Sequence, residues 1–233
     1  MKKTAQFILA FSLFSLLLLT SCSSDDAETI PDYGITTGDY FPLSENNKWW
    51  YENSGAVTLM SVGTSLPING STYYRVSDSD SQYDIPILMT KKGATYFHRT
   101  EKISIPFDNG VTVVIDEYEM TFFKDDLEVG ETWTEKINLN YRVYNGGNPQ
   151  NVPATITSTG TILERDATVT IGETTYTNVI KMKVAAVENI NSQNVNIHSE
   201  YWLAKDVGII RESNTASTDN LTKTRYLTSY EFN

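Results

Sequence analysis

Short runs of β-branched and aromatic residues follow one another at roughly ten-residue spacing from Lys48 to the C-terminus, with turn residues between them. That rhythm is the mark of an antiparallel sandwich or barrel, and helical periodicity is hard to find anywhere after residue 22. Lys48 to Glu52 and Ala56 to Val62 are the first runs. Asn69-Gly70 is a hairpin turn before Thr72-Tyr73-Tyr74-Arg75-Val76. Lys91-Lys92-Gly93 separates Ile85–Met89 from Thr95–Arg99, and Asp108-Asn109-Gly110 separates Ile103–Ile105 from Val111–Ile115. After the loop Asn145–Pro149 come Ala154–Leu163, Ala167–Ile171, Thr175–Val187, Val195–Leu203, Val207–Arg211 and Leu221–Phe232. Val179 to Val184 alternates cleanly, so one face of that strand is wet and the other buried. The 14 tyrosines and many Thr, Val and Ile residues suit pleated surfaces.

An internal echo divides the chain. Leu43-Ser44-Glu45-Asn46-Asn47-Lys48-Trp49 matches Leu127-Glu128-Val129-Gly130-Glu131-Thr132-Trp133 in spacing: a leucine, a turn, and a tryptophan six residues on. Downstream, Ile68–Val76 and Thr170–Val179 both read as a turn at glycine followed by a threonine-tyrosine strand ending in valine. The expected fold is all-β: an antiparallel, strongly bent sheet or half-barrel built from two related halves. In such a duplication Trp49 and Trp133 occupy equivalent core places. Trp50 then points to the opposite face, because strand neighbours alternate.

The N-terminus sets the address. Lys2 and Lys3 precede an apolar stretch from Phe7 to Leu19, too short to span a membrane and stay there. Leu19-Thr20-Ser21-Cys22 ends it, and Cys22 is the single cysteine of the chain. The arrangement resembles the lipobox of bacterial lipoproteins, which implies lipidation at Cys22 and removal of residues 1–21. No intrachain disulfide is possible. Ser23-Ser24-Asp25-Asp26 resembles the export signal of Bacteroidetes surface lipoproteins and implies an outer-membrane, surface-exposed anchor. Residues 22–38 are polar and read as a flexible tether, with a single domain from 39 to 233. Loss of Lys2 and Lys3 takes the formal charge from −11 to −13. A protein this acidic repels phosphate backbones, so nucleic acid is not an expected partner. Attachment to the membrane falls to the acyl chains at Cys22.

Tyr40-Phe41-Pro42-Leu43 with Trp49-Trp50-Tyr51, and Tyr201-Trp202-Leu203-Ala204-Lys205-Asp206-Val207-Gly208-Ile209-Ile210-Arg211, resemble the opening and closing segments of a family of uncharacterised Bacteroidetes lipoproteins. Asp206 stands where that family often has glycine. The resemblance implies a bent antiparallel sheet like that of the LolA/LolB-like lipoprotein carriers. It implies no catalytic residue, because the family carries no agreed activity.

The chemistry-bearing residues are few. His98 and His198 are the two histidines, no Gly-x-Ser-x-Gly elbow is present, and both histidines are expected on strand surfaces. Asp78, Asp80 and Asp84 offer oxygens at positions one, three and seven of a possible calcium loop, but Tyr83 and Met89 stand where glycine and glutamate would be required. The choice there lies between a weak metal site and a solvated acidic loop. Asp116-Glu117 with Glu119, and Asp125-Asp126 with Glu128, are further acidic groups. No cofactor is expected. The leading expectation is a non-enzymatic binding or scaffold protein touching glycan, envelope protein or lipid, with Trp50 and Tyr51 as candidate ligand contacts. The alternatives are a carrier of lipid or lipoprotein in a concave apolar trough, and a carboxylate-based glycoside hydrolase.

Overall fold

The structure, a computed structural model, describes residues 31–80, 87–107, 110–218 and 220–233. Cys22, Asp84 and the Asp108-Asn109 turn lie outside the described residues. Tyr33–Asn233 forms one compact unit.

That unit is all-β. The first half comprises β1 (Lys48–Asn53), β2 (Ala56–Ile68), β3 (Ser71–Asp78), β4 (Ile87–Lys92), β5 (Thr95–Thr100), β6 (Ile103–Pro106), β7 (Thr112–Ile115) and β8 (Tyr118–Lys124). The second comprises β9 (Thr132–Tyr144), β10 (Gln150–Ile171), β11 (Thr174–Ile190), β12 (Gln193–Ala204), β13 (Gly208–Ala216) and β14 (Thr222–Glu231). All belong to one antiparallel sheet in the order β6-β7-β9-β10-β11-β12-β13-β14-β1-β2-β3-β4-β5-β8. Apart from the β6–β7 hairpin, this is two six-stranded meanders laid side by side. The ladder does not close. β8 approaches β9 through a side chain, the Glu135 carboxylate accepting the Thr121 N–H at 2.7 Å.

The two halves begin with the same device. Asn46 (φ 72°) and Gly130 (φ 85°) both take the left-handed conformation three residues before their tryptophan. In the first half, Asn46 donates to the Val62 carbonyl and the Val62 N–H donates back to Asn47. In the second, Gly130 donates to Ile162 and Ile162 donates back to Glu131. Trp49 and Trp133 follow at matching positions and are both buried. Their surroundings differ: Met60 stands across from Trp49, and Gly160 across from Trp133. The Trp49 Nε1–H donates to the Val207 carbonyl at 2.6 Å, whereas the Trp133 Nε1–H has no protein partner among the described residues.

Three boundaries differ from the sequence reading. Tyr33–Gly38, assigned there to the tether, packs on the sheet as the first part of a strap that runs on to Phe41. The Tyr33 carbonyl accepts from Ala94 N–H and Thr95 Oγ1, and Thr36 and Thr37 hydrogen-bond the fully buried Asp125. Ala154–Leu163 and Ala167–Ile171 are one strand, β10, carried past register shifts between Ile162 and Val169, with Asp166 at φ 51°. β8 emerges from a stretch read only as acidic.

One end of the bent sheet is sealed. Trp49, Tyr96 and Phe123 are fully buried there, and the strap adds Tyr40, edge-on to Phe123 at 5.9 Å, and Phe41, stacked on Trp49 at 5.1 Å. Apolar side chains with no exposure are the main source of stability in such a sheet.

Candidate functional site

Beyond the sealed end the concave face does not fill. It encloses a half-open cavity of about 600 Å³, within the ordinary range for small-molecule sites. Strand alternation places the lining. Met60 and Asp78 are cross-strand partners, as are Val76 and Ile87, Met89 and His98, Val184 and Ser199, and Ala186 and Ile197. Phe41 of the strap reaches the deep end. A bulge at Tyr96/Phe97 leaves Phe122 as an extra residue on β8, so Phe123 enters the sealed core while Phe122 faces the cavity, edge-on to Tyr201 at 5.2 Å. Toward the opposite end the lining side chains become partly exposed, among them Ile115, Tyr141, Glu188 and Ile197, which marks the mouth.

Polar groups flank that mouth. On one side Arg225 is 7% exposed, and its Nη2 lies 2.6 Å from Asp78 and 2.5 Å from Glu212. Its Nε donates to Glu212 at 2.8 Å, and its guanidinium lies 4.5 Å above the ring of Tyr51. Burial works against the charged guanidinium, but Glu212 and Asp78 outweigh it and raise the Arg225 pKa. Its Nη1 has no hydrogen-bond partner among the described residues. On the other side the Tyr141 hydroxyl donates to Glu188.

His98 projects from β5 into the cavity rather than onto the surface, with the Tyr118 ring 6.5 Å away. Burial holds its pKa down to about 4, with Glu119 pulling weakly the other way. The imidazole is therefore neutral at pH 7. A folded pKa below the free value of 6.5 means that the unfolded chain takes up this proton first. The stability tied to neutral His98 is complete above pH 6.5 and is lost as the pH falls toward 4. At about 1.4 kcal/mol per pKa unit, roughly 3 kcal/mol is at stake. Urea titrations from pH 7 to 4 should show the parent protein losing about that much more stability than His98→Gln. Parallel losses in the two would remove His98 from the acid response. His198, by contrast, is exposed.

The residues singled out from sequence separate. Trp50 is half-buried on the convex face, between Leu59 and Ser229 of the neighbouring strands. Tyr51 faces inward with no exposure and donates to the Ile209 carbonyl at 2.9 Å, so it supports Arg225 from beneath and offers no free surface. Asp78 is held by Arg225 and also accepts the Asp80 N–H at 3.0 Å; no cluster able to hold a metal ion occurs among the described residues. Trp202 lies half-buried with Lys181 and Arg211 both within 4.7 Å of its ring centre, and its Nε1–H donates to Glu200. Arg225, Glu212 and His98 were not anticipated as site residues. Arg225 shares strand phase with the core residue Leu227, and an arginine on an inward phase is the signal that could have found it.

No protein-family model matches the chain, and no curated protein matches it in sequence. Solved structures do match. A candidate lipoprotein from Parabacteroides distasonis superposes with a TM-score of 0.51 at 12% identity, over 83% of this chain and 99% of its own. The two share a fold. A candidate exported protein with a YmcC-like fold from Bacteroides fragilis gives 0.47 at 13% identity, over 84% of this chain and all of its own. The hypothetical lipoprotein YmcC from Escherichia coli gives 0.35 at 12% identity, over 98% and 97%. At these identities the likeness concerns architecture alone.

Proposed function

We propose that the chain is a lipid-anchored, non-catalytic protein of the cell envelope that binds the apolar part of a ligand in the trough of its bent sheet. The trough itself carries the proposal: about 600 Å³ bounded by aliphatic and aromatic side chains, sealed at one end and open at the other. Among the three functional readings this favours the carrier, and it is in this shape that a LolA/LolB-like role would reside. An aromatic platform on the convex face has less support, because Lys181 and Arg211 already occupy the Trp202 ring. A hydrolase has less still, since Asp78, Glu212 and Glu188 are each bound by a guanidinium or a hydroxyl. Cys22 as the lipidation site, with outer-membrane and surface placement, completes the proposal, supported by the lipobox and by neighbours described as exported proteins or lipoproteins.

At ~30 Å³ per water-sized group the trough accommodates roughly twenty such groups, close to the ~19 non-hydrogen atoms of 1-monolauroylglycerol. At ~0.3 kcal/mol per atom that ligand binds with a Kd at or below tens of micromolar. Calorimetry on the protein lacking its first 22 residues should show one such site. Ala186→Trp, which fills the mouth from β11, should abolish it. Val187→Trp, on the opposite face, should not. Absence of binding, or equal binding by both variants, would contradict the proposal.

A further inference from the structure

The charges along the trough specify what its ligand carries at the mouth. Three carboxylates, Asp78, Glu188 and Glu212, line the cavity with a single guanidinium, Arg225. The guanidinium is spent on two of them, at 2.6 Å and 2.5 Å, and the third is bonded only by a neutral phenol. With His98 uncharged at neutral pH, no other cation among the described residues lines the cavity to receive an anion. An anionic head group would enter beside two uncompensated negative charges. At ~8 Å and an effective dielectric constant near 20, each repels it strongly enough to cost about tenfold or more in affinity. The Nη1 of Arg225 has no partner among the described residues but is itself enclosed by protein, so it presents no accessible donor to an entering anion either. An ester or amide head adds no charge and meets no such repulsion.

We propose, resting on the trough as the binding site, that the ligand is a single-chain acyl ester or amide with an uncharged head, oriented with that head at the mouth and its chain toward Phe41. Free fatty acids and phosphate-bearing lipids are the molecules this lining rejects. The chemistry involves recognition only; no bond is made or broken.

The test is a paired titration at pH 8 of the protein lacking residues 1–22, with 1-monolauroylglycerol in one arm and laurate, fully ionised at that pH, in the other. The expected result is binding of the ester at least tenfold tighter than laurate. Glu212→Gln keeps an acceptor for Arg225 and removes one negative charge; the ratio of ester to laurate affinity should fall severalfold in it. Asp78→Asn provides the same comparison from β3 should Glu212→Gln fail to fold. If neither ligand binds the parent protein, the trough is not the site and both readings fall. If laurate binds as tightly as the ester, or both charge-removing variants leave the ratio unchanged, the head-group assignment falls while the trough stands.

Discussion

Trp49→Ala should be the most damaging single substitution in the protein, lowering stability by about 5 kcal/mol. Trp49 has no exposed surface; it stacks on Phe41 at 5.1 Å, meets Phe232 edge-on at 5.7 Å and donates to Val207 at 2.6 Å. Truncating a core tryptophan costs ~3–5 kcal/mol through lost burial and the cavity left behind. The orphaned Val207 carbonyl adds ~1–3 kcal/mol. Domains of this kind have only ~5–15 kcal/mol in total, so much of the variant should be unfolded at 37 °C. Trp49→Phe isolates most of the burial contribution, since it keeps a ring against Phe41 while losing the hydrogen bond and the smaller part of the buried indole. Urea denaturation should place it about 1–2 kcal/mol below the parent. A loss under ~2 kcal/mol for the alanine variant would mean that the strap and the β12–β13 turn are held by something other than this indole.

The second large effect comes from adding a single carbon. A Cβ on Gly160 would lie 2.0 Å from Cζ2 and 2.2 Å from Cη2 of Trp133. Those atoms belong to the far edge of a rigid ring in a residue 7% exposed, so no flexible side-chain end can yield. Gly160 does not adopt a positive φ, and the penalty is steric alone. Overpacking a core ordinarily costs ~1–3 kcal/mol; a contact this short should put Gly160→Ala at or above the top of that range. Combining it with Trp133→Leu should be less damaging than the sum of the two single changes, with a coupling of ~1–3 kcal/mol. Strict additivity would show that the ring and the glycine do not meet. The matching position in the other half is Met60, a flexible thioether across from Trp49 where the second half has glycine.

These two tryptophans also show what the chain discloses before it folds. The leucine–turn–tryptophan echo was readable, and the structure gives it the same pair of backbone hydrogen bonds in each half, at Val62 and at Ile162. Turns such as Asn69-Gly70 were readable because their backbone demands those residues. β8 was not, because Glu119 and Lys124 dilute its apolar pattern and the bulge at Phe122 breaks its period of two. The strap was missed for a related reason: Thr36 and Thr37 look like linker residues until Asp125, distant in sequence, accepts their hydrogen bonds. The candidate site was the least legible part. Tyr51 reads as a surface aromatic beside Trp50, but the sheet turns it inward beneath Arg225, and the cluster of Arg225, Asp78 and Glu212 forms only when β3, β13 and β14 are folded around the trough.

Whether that trough receives an acyl chain can be read from the tryptophans themselves. Replacing Trp50 and Trp202, both on the convex face, with phenylalanine leaves Trp49 and Trp133 as the only indoles, both at the deep end. A monoacylglycerol brominated at the tip of its chain should quench this double variant as strongly as the parent protein, because the chain tip lies beside Phe41, which stacks on Trp49. Quenching that disappears once the two outer tryptophans are gone would place the ligand on the convex face and leave the trough empty.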